Sequence, residues 1–294
     1  METFGRLVEA MTGIGRFNDL KIMRLGPDRA VLDGGTLGEI PLSAQEVPAG
    51  SSPGGVLKVF LYHDSDGHPM ATTTSPAAQV GEVGYLKIVS VNDAGAFLNW
   101  GLTKDLLMPW SEVKREQKRL IVEGRKILAC VFLAEDGRIA ASSRLDEFLS
   151  DEADGFKQGD KVTILIAEAT DLGLRVIVNH RYWGLVHKNE VFGTRQRGQR
   201  LDGYVKAIRP DRKLNITLSP PGYAKVDAVA QGILKVLARR GGSMAVNDKT
   251  PPEEIYALFG ISKKVFKLTI GALYKSRRIR VDEAGIHTVK TPEP

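Results

Sequence analysis

The residues that could do chemistry fall into two groups, one suggesting a metal or a nucleophile and the other a polyanion. His63, Asp64, Asp66 and His68 cluster like metal ligands. They lie between two apolar runs, however, where Asp, Ser and Gly serve a turn, and they lack the glycine position and terminal Glu of a calcium loop. Cys130 is the single cysteine, so it forms no internal disulfide and supplies no zinc cluster. It alternates with the core of a strand and reads as a buried thiol. His180 and His287 have no sequence-local partner for a triad or a zinc site. Acidic pairs such as Asp64/Asp66 and Glu135/Asp136 fall on turns, and no phosphate-cradling loop is present. No catalytic set emerges. The expectation is a non-enzymatic chain with no cofactor and no metal.

The second group is cationic and aromatic. Lys263, Lys267, Gly271 and Lys275 are spaced by four, which places them on one helix face. Lys264 adjoins them, and Arg277, Arg278 and Arg280 follow. Gly271 costs ~1 kcal/mol against alanine inside a helix, so something is expected to approach closely there. Charge is distributed to match. Residues 1–154 hold 16 Lys and Arg against 22 Asp and Glu, a net of −6, whereas residues 155–294 hold 25 against 13, a net of +12. A basic half of this size attracts a polyanion, in a salt-dependent way.

These residues need elements to position them. In 294 residues with 31 glycines and 14 prolines, the first three quarters read as short strands with turn punctuation. Val59–Thr73 and Val131–Ser143 align as apolar strand, acidic Gly-containing turn and second strand, which is a β-hairpin. Val205–Ser219 is a looser copy. Upstream, Leu86–Asp93 runs into Ala94–Trp100, and Val162–Asp171 into Leu172–Val178. Leu-rich strands follow at Leu106–Pro109 and Gly184–His187. Each unit thus offers about five strands, the content of a small closed barrel. Alternation along these strands turns Phe97 outward if Leu98 and Trp100 are core, and Arg175 outward if Val176 and Val178 are core. The acidic stretch Asp146 to Asp154 reads as either a linker or a rigid helix.

The last quarter is helical. Pro220-Pro221-Gly222 marks the boundary. Apolar periodicity at Val226, Val229, Ile233, Leu234 and Leu237 predicts a helix stopped by Gly241-Gly242. A short helix follows from Pro251-Pro252 to Gly260, and a third from Ser262 as N-cap to Tyr274 or Lys275. On that helix Val265, Phe266, Leu268, Ile270 and Leu273 are available for the core. Ile279–Val281 and Ile286–Val289 then form a hairpin, the wing of a helix-turn-helix module.

Asp93-Ala94-Gly95-Ala96-Phe97-Leu98 and Gly184-Leu185-Val186-His187 are similar to the signatures of the ribosomal S-one-type OB repeat, an RNA-binding module. With the tail segments Asp248–Tyr256 and Ser262–Lys267, the chain resembles the conserved virulence factor B family from about Gly15 to Val289. The resemblance implies a mainly β protein with an α+β tail, in which three tandem five-stranded OB-fold barrels precede a winged helix. The expected boundaries are 1–75, 76–147, 155–220 and 223–290, the first barrel being divergent. It also implies RNA binding and an influence on gene expression. In the family pattern two aromatics flank the glycine of the second strand, a His lies on the third strand, and a basic residue lies in the last hairpin. Phe97 and Arg138 match in the second unit, where Ala94 and Pro109 replace an aromatic and the His. In the third unit His187 matches and Asp211 stands in the last hairpin, while Leu172 and Arg175 replace the aromatics.

The expected RNA contacts are therefore Phe97, Arg138, Arg175, His187, Asp211 and Arg212, with Tyr182 and Trp183 as further stacking surfaces. Lys263, Lys264, Lys267, Lys275, Arg277 and Arg278 are expected to engage phosphates. Single-stranded RNA is the leading partner. Duplex DNA held by the winged helix, and a ribosome-associated protein scaffold, are the other readings. No stretch approaches the ~18 apolar residues of a membrane span. Met1 to Thr12 carries Glu2 and Glu9 with no long apolar run, so the expected setting is a reducing cytoplasm.

Overall fold

The computed structural model describes residues 13–191, 195–218 and 224–289. Met1 to Thr12 and the Pro220-Pro221-Gly222 boundary lie outside them. The chain divides into two compact units, one up to Ile216 and one from Thr217 onward. No helix among the described residues is long and apolar enough to cross a membrane.

The first unit contains three barrels of one topology. Barrel 1 comprises β1 (Phe17–Leu25), β2 (Arg29–Asp33), β3 (Glu39–Ser43), β4 (Val56–His63) and β5 (Pro69–Thr72). It closes in the order β1-β2-β3-β5-β4. Barrel 2 comprises β6 (Val83–Asn92), β7 (Gly95–Asn99), β8 (Leu106–Pro109), β9 (Lys126–Leu133) and β10 (Ile139–Ser142). It is a five-stranded sheet whose edge strands β8 and β10 lie together, so it is nearly closed. Barrel 3 closes again, from β11 (Lys161–Thr170), β12 (Gly173–Val178), β13 (Tyr182–His187), β14 (Arg200–Ile208) and β15 (Leu214–Thr217).

The long first strand of each barrel carries an irregularity at one equivalent place: between Ile22 and Arg24, between Ile88 and Ser90, and between Ile166 and Glu168. A bulge bends a strand. The part before it pairs with the fourth strand, and the part after it, with the last residues before it, pairs with the second, which is how one strand closes a small barrel. The cores follow from alternation. Leu32, Ile40, Leu42 and Leu61 fill barrel 1, Ile88, Leu98, Met108 and Val131 fill barrel 2, and Ile164, Val176, Val186 and Ile216 fill barrel 3.

Two glycines sit at the start of second strands for a steric reason. Gly95 and Gly173 have φ of +151° and +145°. A Cβ on them would lie 2.2 Å from Met108 O and 2.0 Å from Val186 O. The same register position in barrel 1 is Arg29, opposite Ser43.

The barrels are joined by buried contacts. Between barrels 1 and 2, the Gly15 N–H donates to Leu61 O (2.7 Å) and the Val80 N–H to Gly15 O (2.8 Å). Phe17, Phe60 and Trp100 stack edge to face at 5.6 and 5.7 Å. Between barrels 2 and 3, Val83, Leu128 and Cys130 pack with Leu165, Ile177 and Trp183. Leu145, Phe148 and Leu149 of the connecting segment join the same cluster. Burying such side chains stabilises by roughly 1.5–3 kcal/mol each. The acidic stretch is thus neither a free linker nor a long helix. It makes one 3-10 turn, Leu145–Glu147, and then lies along barrel 3: Ser150 bridges Tyr182, and the Ala153 N–H donates to Arg212 O (3.0 Å).

Polar groups complete that junction. The Arg200 guanidinium donates to Ala77 O (2.9 Å), and His180 Nδ1 accepts the Val83 N–H (3.0 Å). The imidazole is therefore neutral at this nitrogen. Burial holds its pKa below the ordinary value, with Glu82 opposing and Arg200 adding to the fall. A His kept neutral in the folded state binds fewer protons than in the unfolded chain. Its contribution is present above the ordinary His pKa of about 6.5 and is lost as pH falls below it. The melting temperature of the wild type should fall more steeply between about pH 7 and pH 5 than that of His180→Asn. Parallel slopes in calorimetry would refute this.

The second unit comprises α1 (Ala224–Arg239), β16 (Ser243–Met244), α2 (Pro252–Phe259), α3 (Lys263–Lys275), β17 (Ile279–Asp282) and β18 (Gly285–Thr288). The strands form a sheet in the order β16-β18-β17. Gly260 ends α2 in a left-handed conformation, and the Ser262 hydroxyl caps α3 by accepting the Val265 N–H. Ile233, Leu237, Ile255, Phe266, Ile270, Leu273 and Ile286 make the core. Leu268 does not join it, being 45% exposed. Thr269 is buried instead, its hydroxyl donating to Val265 O (2.8 Å). The side chain of Val226 lies outside the description.

Candidate nucleic-acid interface

On barrel 2, cross-strand pairing sets Ser90, Phe97 and Leu107 in one row, with Asn92, Gly95 and Pro109 in the next. Leu98 and Trp100 are core, so Phe97 faces outward and is half-buried. A residue the sequence reading overlooked sits at the end of this face. Trp110 donates its indole Nε1–H to Asn92 O (2.9 Å) and its backbone N–H to Ala94 O (3.3 Å). The available signal was a tryptophan directly after Pro109, the position where the family pattern has His. Arg138 is exposed, and its guanidinium is paired within its own turn to Asp136 at 2.5 Å.

Barrel 3 differs from expectation. Arg175 does turn away from the core, but its guanidinium lies 3.6 Å from the centre of the Trp183 ring and 3.3 Å from both Asp146 and Glu168. Trp183 is only 7% exposed and packs in the junction, so it offers no stacking surface. Tyr182 is half-buried, edge-on to Phe156 at 5.4 Å. His187 is half-buried opposite Gly173. The last hairpin is paired throughout: Arg209 with Asp211 at 3.1 Å, Arg212 with Glu152 at 3.2 Å and with Asp154, and Lys213 with Asp151 at 4.0 Å. The acidic segment therefore ion-pairs with Arg175 and Arg212, the barrel 3 cations that the sequence assigns to RNA, while Arg212 itself stays exposed. At its head, burial raises the pKa of Asp146, but Lys114 and then Arg175 outweigh this and hold it below the ordinary range.

On the second unit the cations are more available. Lys264, Lys275 and Arg277 are exposed, and among the described residues they make no ion pair. Lys263 is half-buried and donates to Lys249 O (3.4 Å), and Lys267 pairs with Asp248 at 3.5 Å. Arg278 is half-buried, with its backbone N–H on Leu273 O (3.0 Å). Contrary to expectation, no other element among the described residues approaches Gly271: an added Cβ would meet nothing within 4 Å.

Residues 231–287 match the family described as CvfB-like winged helix domain, and residues 14–74 match the S1 domain family. Two curated relatives align with most of the chain. YitL of Bacillus subtilis is 26% identical over 76% of both chains. Conserved virulence factor B of Staphylococcus saprophyticus is 23% identical over 77% of both. The chain is thus similar to the conserved virulence factor B proteins over most of its length. A crystal structure from Streptococcus pneumoniae, of a multidomain protein with nucleic acid binding domains, is 26% identical, covers 94% of this chain and 99% of its own, and has a TM-score of 0.41. The S1 match falls on barrel 1, whose sequence showed only its hairpin clearly; Arg29 in place of the strand-opening glycine is one reason that signature was hard to see.

Three other groupings in this chain have local explanations. Ligand atoms of Asp64, Asp66 and His68 lie within 4.8 Å of one another. Asp64 accepts the backbone N–H groups of Asp66 and His68, both at 2.9 Å, and so builds the turn. These bonds, that from His68 foremost, hold its pKa below the ordinary value. His287, which lacked a sequence-local partner, gains two: Nδ1 lies 2.8 Å from Ser243 Oγ and Nε2 lies 3.0 Å from Asp282 Oδ1. This is a polar ladder across β16, β18 and β17, and the neighbouring Gly242 N–H is already used on Leu237 O (2.8 Å). Cys130 is buried, and desolvation pushes its thiol up to about 12.

Proposed function

We propose that the chain is a non-enzymatic, cytoplasmic protein that binds single-stranded RNA and so influences gene expression after transcription. The observation that carries this reading is the set Lys264, Lys275 and Arg277 along α3 and its C-terminal end, which among the described residues make no ion pair. Free cations attract phosphates, whereas cations already in ion pairs gain little. The outward Phe97, with Trp110 beside its face, supports base stacking on barrel 2. The S1-type and winged-helix matches support the same class of partner.

Lys264→Glu, Lys275→Glu and Arg277→Glu together should weaken binding of a labelled single-stranded RNA about 100-fold near 0.1 M salt. The slope of log K against log salt should fall by about two, as expected for three phosphate contacts on a single strand. Fluorescence anisotropy across a salt series measures both. Unchanged affinity and slope would remove the winged helix from the interface. Tighter binding of duplex DNA than of RNA of equal length would favour a transcription regulator instead.

A further inference from the structure

A groove of ≈ 370 Å³ lies between α3 and the wing, lined by Asp248, Lys267, Ile270, Gly271, Tyr274 and Val281. Ile270 and Val281 belong to the domain's apolar core and its margin, and they form the floor. Gly271 keeps the groove open, since nothing lies within 4 Å of where its Cβ would be. Glycine in a helix interior is unfavourable, and neither a turn, a positive φ nor a packed neighbour requires it here. Tyr274 stands one turn along the same edge and is 57% exposed. At the rim, Lys267 Nζ lies 3.5 Å from Asp248 Oδ2, which sets a donor beside an acceptor.

We propose that this groove is a pocket for one unstacked nucleobase of a single strand, read along its Watson–Crick edge. The inference rests on the RNA-binding reading above and deepens it. Every base offers adjacent donor and acceptor atoms on that edge, matching the Lys267–Asp248 pair, and the edge is free only when the base is unpaired. The exposed ring of Tyr274 supplies a stacking face, and the missing side chain at position 271 supplies the clearance a flat ring needs. A carboxylate at the rim disfavours a phosphate in the groove itself. The flanking Lys264 and Lys275 are placed for the phosphates on either side.

The test uses the full chain with two labelled probes of equal length, a mixed-sequence single-stranded RNA and an abasic strand that keeps the phosphates without the bases. Tyr274→Ala and Gly271→Val should each weaken RNA binding about tenfold, with an unchanged salt slope and unchanged affinity for the abasic strand. Position 271 is exposed, so the melting temperature of Gly271→Val should stay near that of the wild type. If the wild type binds RNA and both variants bind it equally well, the pocket is overturned while the RNA-binding reading stands. If the wild type binds neither probe, both fall together.

Discussion

Replacing Gly198 by alanine should lower the melting temperature of the three-barrel unit by about 10 °C. Gly198 precedes β14 with φ +82°, and an added Cβ would lie 2.0 Å from Cδ1, 2.3 Å from Cγ and 2.7 Å from Cβ of Tyr85 in barrel 2. Because the Tyr85 Cβ itself is too close, turning the ring away relieves only part of the clash. The backbone cannot retreat easily either, since the Gly198 N–H donates to Ile166 O at 2.8 Å. Backbone strain costs about 1–3 kcal/mol and overpacking a similar amount, together ~3 kcal/mol, and a unit of this size loses 2–4 °C per kcal/mol. Tyr85→Ala in the same chain should recover part of the loss, because it removes the two nearest ring atoms. Calorimetry decides. A Gly198→Ala protein that melts like the wild type would show that barrels 2 and 3 do not meet this closely.

That junction marks the limit of what the sequence could tell. The hairpins, the capped α3 and its lysine face are local patterns, and local patterns are legible from spacing and turn residues alone. Alternation also turned Phe97 and Arg175 away from their own barrel cores, as the structure does. What alternation cannot say is whether the outward side meets water or another module. The outer surface of barrel 3 meets barrel 2, so Trp183 is buried and Arg175 is clamped between that ring and two carboxylates. Leu145, Phe148 and Leu149 have helical spacing, yet the segment leaves its single turn because Ser150 finds a backbone partner in Tyr182. Ser243 and His287 lie 44 residues apart and meet only through strand pairing. Gly271 shows the opposite case: its oddity was visible in sequence, and only the structure shows that no internal group explains it.

The pairing of the acidic segment with barrel 3 also changes where attraction for a polyanion originates. The +12 of the second half does not act as one field, because Arg175, Arg212 and Lys213 face Asp146, Asp151, Glu152 and Asp154 of the first half. Long-range attraction then rests mainly on cations without such partners, and among the described residues the α3 face offers them.

Gly173→Ala should have a larger effect than Gly198→Ala and should unfold barrel 3 ahead of its neighbours. The atoms a Cβ would meet are Val186 O at 2.0 Å, Lys188 N at 2.7 Å and His187 C at 2.9 Å, all backbone. No rotamer change relieves a backbone clash, so β13 would have to move. Movement there breaks the pairing of Gly173 with His187 and of Leu174 with Val186, and the Thr170 hydroxyl loses its acceptor at Gly173 O. With φ at +145°, alanine is also strained before any contact is counted. The expected cost is about 4 kcal/mol or more, seen in calorimetry as an early transition separate from the main one. Gly95→Ala should act likewise in barrel 2, where the carbonyl of Met108 lies 2.2 Å from the added Cβ. Barrel 1 supplies the control, because Arg29 already carries a side chain in this register. Arg29→Gly should cost only about 1 kcal/mol, chiefly through the flexibility it gives the unfolded chain. A Gly173→Ala protein that melts in one transition within about 1 kcal/mol of the wild type would mean that the third strand can shift to admit a side chain at this register, as barrel 1 admits Arg29 opposite Ser43.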